Sequence, residues 1–103
     1  MTSRIGFALT LRAADVDEYR RRHDAIWPEV TADMKRQGIT SFTLFVDPAN
    51  DRVFGYLETE GADTFKRPNA TSLAWWEFMS DLMPTDEDGA PAQERLFEVY
   101  HLE

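Results

Sequence analysis

Residues 39–60 of the chain read ITSFTLFVDPANDRVFGYLETE. Residues 39–46 are rich in β-branched and aromatic side chains, which is typical of a strand. Residues 47–51 predict a turn, because proline, asparagine and aspartate favour the backbone angles of tight turns. Residues 53–60 then read as another strand. This stretch therefore predicts a β-hairpin at the centre of the chain.

A strand and a helical region precede this hairpin. Residues 4–11 place apolar side chains at every second position, which predicts a strand with one buried face. Residues 13–37 have helical character, with Asp15 as the predicted N-cap and Gly38 as the stop signal. Pro28 lacks a backbone donor and disfavours helical geometry at the residue before it. We therefore expect a kink or a break into two helices at that point.

A second helical region and a last strand follow the hairpin. We expect the second half of residues 61–83 to be helical, because apolar residues recur there at three- and four-residue spacing. That stripe consists of Leu73, Trp76, Met79 and Met83, widened by Trp75, Phe78 and Leu82. Residues 84–91 form an acidic, irregular loop that we expect at the mouth of a pocket. Residues 96–102 are predicted to close the chain as a fourth strand.

The resulting order, β-α-β-β-α-β, is the split-βαβ or ferredoxin-like arrangement of the α+β class. It predicts an antiparallel four-stranded sheet with helices on one face, in a single domain over residues 1–103. The other face also carries apolar side chains, so something must cover it. A second copy of the chain is the simplest cover, since two such sheets facing each other make a dimeric α/β barrel.

Composition disfavours several classes of protein. Nineteen acidic residues against eleven basic ones give a net charge of −8, which repels nucleic acid and anionic membranes. There is no cysteine, so thiol chemistry and zinc–thiolate sites are excluded, and the two histidines are too far apart to signal a metal site. No apolar run is long enough to span a bilayer, and the N-terminus does not look like a signal peptide. We expect a cytoplasmic protein without metal or organic cofactor.

His23 is the candidate for chemistry, because an imidazole suits proton transfer near neutral pH. Tyr19 precedes it by four residues and Trp27 follows it by four, so a helix would place all three on one face. Such a face could hold a polyol and move its proton, but the spacing alone favours a core face with a structural histidine. The neighbouring Glu18–Arg22 and Asp17–Arg21 pairs are expected on a solvated, salt-bridged face. The other histidine, His101, is left out of the site.

Trp75 and Trp76 are the second feature of interest. Adjacent residues on a helix point about 100° apart, so one indole is expected to enter the core. The other is then available to line a cleft or a subunit contact. An indole N–H needs a partner when it is buried, and a sugar hydroxyl is one such partner.

Two separated segments resemble the signature of the L-rhamnose mutarotase family. The first is EYRRRHDAIWPE at residues 18–29, and the second is WWEFMSDLMP at residues 75–84, where the family carries a tryptophan pair and a Met-Pro ending. The chain length and the aromatic closing segment also fit, whereas residues 61–74 match poorly. The resemblance implies a cofactor-free, cytoplasmic homodimer with a ferredoxin-like fold that interconverts the α and β anomers of a sugar.

The family's site residues are transferred to matching positions only. The resemblance implies that His23 transfers the proton, that Tyr19 contacts the sugar, and that Trp75 and Trp76 line it. One position departs from the pattern: the tyrosine that rhamnose enzymes of the family place early in the second strand is Phe42 here. The aromatic wall is kept but a hydroxyl is lost. The sugar is therefore left open between L-rhamnose and another deoxy-sugar such as L-fucose.

Alternative functions come from two other classes. Small dimeric α/β barrels with a histidine and aromatic side chains also include cofactor-independent oxygenases, which would consume oxygen with an aromatic substrate. A non-catalytic sugar-binding module would bind the sugar without speeding anomer exchange. A plain dimerising structural domain, the weakest alternative, would not bind sugar at all.

Overall fold

The computed structural model describes residues 2–60 and 69–103. The described elements are strand β1 (Ser3–Thr10), helices α1 (Val16–Asp24) and α2 (Pro28–Arg36), strands β2 (Ile39–Asp47) and β3 (Arg52–Thr59), helix α3 (Ala70–Met79) and strand β4 (Gln93–Leu96). The strands form one antiparallel sheet in the order β2-β3-β1-β4. This is the ferredoxin-like α+β arrangement predicted from the sequence.

The predicted hairpin is confirmed, and its register sets the two faces of the sheet. β2 pairs with β3 from Ile39 opposite Thr59 to Asp47 opposite Arg52, with a bulge near the start of β2. Because directly opposed residues share a face, Leu57 of β3 lies on the same side as its partner Ile5 of β1. That side packs against the helices, and its side chains form the buried core with others from α1, α2 and α3.

The break in the first helical region is also confirmed. Trp27 has extended backbone angles, φ −63° and ψ 132°, and Pro28 is the first residue of α2, where a missing N–H costs nothing. Gly38, with φ of 88°, follows the end of α2 as predicted. Asp15 stands at the predicted N-cap of α1, but its side chain does not cap the helix. Its carboxylate instead accepts a hydrogen bond from Nε of Arg12 at 2.9 Å.

The prediction for the second helical region is partly confirmed. α3 covers Ala70–Met79, and it begins with a capping box between Asn69 and Ser72. Residues 80–83 were predicted to continue this helix but form a turn instead, and Met83 is nevertheless buried. Leu73, by contrast, is 44% exposed, so the predicted apolar stripe is not buried along its whole length. Residues 61–68 lie outside the described residues.

The predicted last strand, residues 96–102, is wrong in extent. β4 is Gln93–Leu96, and it pairs with β1 from Leu9 opposite Gln93 to Gly6 opposite Leu96. In that register residues 3–5 of β1 would still lie opposite residues 97–99, yet the chain forms no strand beyond Leu96. Alternation of apolar residues is therefore not enough to predict a strand, because it does not show where backbone pairing ends. The apolar side chains of this terminal segment are 76–87% exposed: Phe97, Val99, Tyr100 and Leu102.

Candidate functional site

A cavity of about 950 Å³ lies between the sheet and the helices. This volume lies within the usual range for small-molecule sites. Its walls come from β1, α1, α2, β2, α3 and the loop that follows α3. The five side chains that the resemblance assigns to the site, or to its departure from the family pattern, all line this one cavity: Tyr19, His23, Phe42, Trp75 and Trp76. Trp27 is not among the lining residues.

His23 lies on the last turn of α1 and is half-buried at the cavity wall. Its Nδ1 is 2.9 Å from the main-chain carbonyl oxygen of Tyr19, one helical turn back. A carbonyl oxygen can only accept, so Nδ1 is the nitrogen that carries a proton and donates. In the neutral ring Nε2 is then left as the basic nitrogen. The hydrogen bond thus fixes both the orientation of the imidazole and the nitrogen that can take up a proton.

Tyr19 is 5% exposed, and its ring centroid lies 4.4 Å from that of His23. Burial raises the pKa of the Tyr19 hydroxyl above its ordinary value, because the phenolate would lose its hydration. The hydroxyl therefore stays neutral over the physiological range of pH. It can donate and accept hydrogen bonds, but it is a poor base.

Trp75 faces His23 from α3. The two ring centroids are 5.7 Å apart and the planes are nearly perpendicular, at 88°. Trp27 packs edge-on against the same indole at 5.1 Å, although it precedes α2 and does not lie on α1 as the four-residue spacing predicted. Trp75 is buried and Trp76 is half-buried, and both line the cavity. An imidazole and an indole from distant parts of the chain therefore meet at one wall.

Phe42 and the loop at residues 84–91 complete the walls that were anticipated from the sequence. Phe42 is 36% exposed and packs against Phe7 at a centroid distance of 6.2 Å, so it presents hydrocarbon to the cavity. The loop contributes Asp86, Asp88 and Pro91, which confirms that it borders the pocket. His101 is exposed and is not among the lining residues.

Arg22 was expected on a solvated face, and this expectation is wrong. Its side chain is only 11% exposed and pairs with Glu18 as predicted, at 2.7 Å. It also reaches across to the end of α3, where it donates to the carboxylate of Asp81 at 2.8 and 3.1 Å and to the carbonyl oxygen of Phe78 at 2.9 Å. Arg22 thereby ties the helix of His23 to the helix of Trp75. Arg21 pairs with Glu18 rather than with Asp17.

Asp33 of α2 is a second residue of the cavity wall that the sequence did not single out. The residue is 7% exposed, and its carboxylate is held by hydrogen bonds from neighbouring side chains. Donors to the carboxylate lower the pKa of Asp33, with Asn69 as the largest cause. A single aspartate on a predicted helix gives no signal of burial, because the partner Asn69 lies 36 residues away.

Metal-binding clusters and membrane-spanning helices are both absent from the described part of the chain. Residues 2–60 and 69–103 contain no group of three or more histidine, cysteine, aspartate or glutamate side chains placed to hold a metal ion. No helix within the same ranges has the length and apolar character needed to cross a membrane.

Comparison with known proteins agrees with this arrangement. The family model described as L-rhamnose mutarotase matches residues 4–102. The chain is 36% identical to an L-rhamnose mutarotase of Oceanobacillus iheyensis, over 97% of this chain and 98% of that protein. It is 37% identical to one of Burkholderia ambifaria, over 95% of this chain and 96% of that protein.

A solved structure is also similar. It is the crystal structure of an L-rhamnose mutarotase from Formosa agariphila, which aligns with a TM-score of 0.89 and 30% identity. The alignment covers 98% of this chain and 99% of that one. Both the fold and nearly the full length of the sequence are therefore shared, and the chain belongs to the L-rhamnose mutarotase family.

Proposed function

We propose that this chain interconverts the α and β anomers of L-rhamnose or a similar deoxy-sugar, with His23 as the general acid and base. The observation that carries the proposal is the anchored imidazole of His23, whose ring centroid lies 5.7 Å from that of Trp75 at the wall of a cavity large enough to admit a sugar. Family membership supports the reaction type. The roles proposed for individual side chains are supported by the family resemblance and by the positions of those side chains around the cavity.

Mutarotation requires two proton transfers in each direction. Neutral His23 takes the proton of the anomeric hydroxyl through Nε2, and the resulting imidazolium gives a proton to the ring oxygen as the bond between C1 and that oxygen breaks. Rotation about the C1–C2 bond exposes the other face of the aldehyde. Reclosure reverses both transfers, so the imidazole ends as it began and no net charge or redox change occurs. A well-placed group of this kind contributes about 10²–10⁴-fold.

The other side chains of the site hold the sugar. Trp75 and Trp76 offer flat apolar surfaces suited to the C–H face and the methyl group of a 6-deoxy ring. The neutral hydroxyl of Tyr19 can orient a sugar hydroxyl beside His23. Phe42 adds a further apolar wall without a donor or acceptor. Only the protein's own side chains take part in the proposed steps.

We also propose that the chain acts as a cytoplasmic homodimer of one mutarotase domain spanning residues 1–103. The face of the sheet away from the helices supports this, because Phe45 is 65% exposed on it and Leu96 is 37% exposed. Apolar side chains of residues 97–102 are exposed as well. Apolar surface of this kind usually marks an association site. Equilibrium sedimentation should give twice the chain mass, and a monomer at all concentrations would exclude the dimer.

The direct test of the function is anomer exchange. Freshly dissolved L-rhamnose, L-fucose and a panel of aldohexoses are followed by polarimetry and by saturation-transfer NMR, with and without the protein. Acceleration with one or more deoxy-sugars supports the proposal. Sugar binding without faster exchange would instead indicate a binding module, oxygen uptake with an aromatic substrate would indicate an oxygenase, and no sugar binding would leave a structural domain.

A further inference from the structure

Asp33 is a buried carboxylate that the proposed chemistry does not use. It lies on α2, at the wall of the cavity, and only 7% of the residue is exposed. Removing a carboxylate from water is costly unless other groups replace the lost hydration. Its partners therefore indicate what the residue does.

Four hydrogen-bond contacts surround the carboxylate of Asp33. Nδ2 of Asn69 lies 2.9 Å from both oxygens. Nε2 of Gln37 donates to Oδ2 at 2.7 Å, and Nη2 of Arg36 donates to Oδ1 at 3.1 Å. A carboxylate has about four lone-pair sites, so these contacts account for all of them. A sugar hydroxyl would have to displace one of these donors, which argues against Asp33 as a direct sugar ligand.

The side-chain oxygen of Asn69 caps the start of α3. This oxygen, Oδ1, accepts a hydrogen bond from the backbone N–H of Ser72 at 2.9 Å, and the backbone N–H of Asn69 donates to Oγ of Ser72 at 2.9 Å. This is a capping box, which fixes the first turn of a helix. One side chain thus caps α3 and joins it to the carboxylate on α2.

The first turn of α3 sets the position of Trp75. Ala70 begins the helix and Trp75 follows five residues later, about 7.5 Å along the axis. A shift or rotation at the capped end is carried along a helix this short. The indole of Trp75 would then move relative to His23, whose ring centroid lies 5.7 Å away.

We infer that Asp33 is a positioning residue: through Asn69 it fixes the start of α3 and so holds Trp75 opposite His23. The inference rests on the proposed function, because it assumes that Trp75 is a wall of the sugar site. It predicts that Asp33 affects sugar binding more than the proton transfer itself, since His23 is anchored separately on α1.

The pair can be tested by exchanging its two members in the full chain. Asp33→Asn places an amide opposite the Asn69 amide, and Asn69→Asp places a carboxylate opposite the Asp33 carboxylate. Each single change should raise the KM of anomer exchange roughly five-fold to twenty-fold, with kcat altered less than about two-fold. The double variant restores one amide and one carboxylate, and the aspartate at position 69 can still cap α3. Its KM should return to within about two-fold of that of the unmodified protein.

Arg36→Met is the matched control, because methionine cannot donate a hydrogen bond to Asp33 while the contact with Asn69 stays intact. Its KM should stay within about two-fold of the unmodified value. All kinetics are measured well below each variant's melting temperature. Single variants that lose stability but keep KM, a fall in kcat at unchanged KM, or a double variant without recovery would each overturn the inference.

A failure of the proposed function can be told apart from a failure of this inference. If the unmodified protein accelerates no anomer exchange, the function is wrong, and the near-UV circular dichroism of the tryptophans then decides the role of Asp33. Loss of that signal in both single variants with recovery in the double variant supports the positioning role. An unchanged signal in the single variants contradicts it.

Discussion

At the scale of single residues, the bond between Nδ1 of His23 and the carbonyl oxygen of Tyr19 matters most for the proposed chemistry. It leaves Nε2 as the nitrogen that can exchange protons with a ligand. It also needs no side-chain partner, because the acceptor belongs to the same helix one turn earlier. The position of the imidazole therefore depends on the helix itself rather than on a distant contact.

Phe42 is the residue at which sugar preference can be tested. It lines the cavity and carries no hydroxyl, at the position where the family resemblance implies a tyrosine. Phe42→Tyr should raise kcat/KM for L-rhamnose by roughly three-fold to thirty-fold, because one added hydrogen bond to a substrate hydroxyl contributes about 1 kcal/mol. Exchange kinetics with L-rhamnose and L-fucose measure the effect. An unchanged kcat/KM for L-rhamnose would remove the argument from the missing hydroxyl.

At the scale of secondary-structure elements, Arg22 links α1 to the end of α3. Arg22→Met removes its hydrogen bonds to Glu18, Asp81 and the carbonyl oxygen of Phe78. We expect the melting temperature to fall by roughly 5–10 °C, because charge-assisted bonds of a mostly buried guanidinium are lost.

Arg21→Met is the control for this change. It removes a pair with the same Glu18, but the Arg21 side chain is 66% exposed, and solvent screens such pairs. Its melting temperature should change by no more than about 2 °C. Equal losses in both variants, measured by differential scanning calorimetry, would show that the bridge to α3 is unimportant.

The sheet offers a second test, at Gly55 of β3. A Cβ added there would lie 2.2 Å from Cζ of Phe7, within the core, so Gly55→Ala forces the Phe7 ring to move. Such overpacking costs about 2 kcal/mol, which corresponds to roughly 10 °C in melting temperature. Gly6→Ala on the neighbouring strand is the matched change, because its nearest contact is Cβ of Leu96 at an ordinary 3.7 Å. Similar denaturation midpoints for the two variants would contradict this account of the core.

Some elements are predicted by the sequence and others are not. The difference is whether an element depends on neighbouring residues or on residues far away along the chain. The break before Pro28 and the hairpin at residues 39–60 follow from local backbone chemistry, and both were predicted. β4 depends on pairing with β1, some 90 residues away, and that pairing stops at Leu96 opposite Gly6, so the alternating residues after Leu96 were wrongly read as a strand.

The site shows the same division. Tyr19 and His23 lie four residues apart on one helix, so their meeting was predictable from spacing. Trp75 reaches His23 only through the packing of α3, and without the family resemblance nothing in the sequence indicates that contact. Arg22 was misjudged for the same reason, because its partner Asp81 is 59 residues away.

At the scale of the whole molecule, acid should destabilise the fold through its paired carboxyl groups. Hydrogen bonds from Arg21 and then Arg22 lower the pKa of Glu18 to about 2, from 4.5. Donors also lower the pKa of three other carboxyl groups, namely Asp33, Asp81 and Glu98. A carboxyl group whose pKa is lowered by folding binds protons more tightly in the unfolded chain. Its contribution to the free energy of unfolding is therefore complete above the pKa of the unfolded chain. That contribution is lost as the pH falls through the pKa of the folded state.

The urea midpoint should accordingly hold steady above about pH 5 and fall steadily towards about pH 2. Glu18→Gln removes one of these groups, so its midpoint should be less sensitive to pH over the interval from 4.5 to about 2. Unfolding curves followed by circular dichroism provide the measurement. A midpoint that rises on acidification would contradict the sign of the linkage.

The central claim is that the imidazole at position 23 moves the proton, and the exchange of magnetisation between the two anomeric protons of the preferred sugar tests it most directly. The account predicts that His23→Ala slows the protein-dependent exchange by about 10²-fold or more, while His101→Ala, which changes the other, exposed histidine, leaves it unaltered. Exchange by His23→Ala at the rate of the unmodified protein would contradict the account.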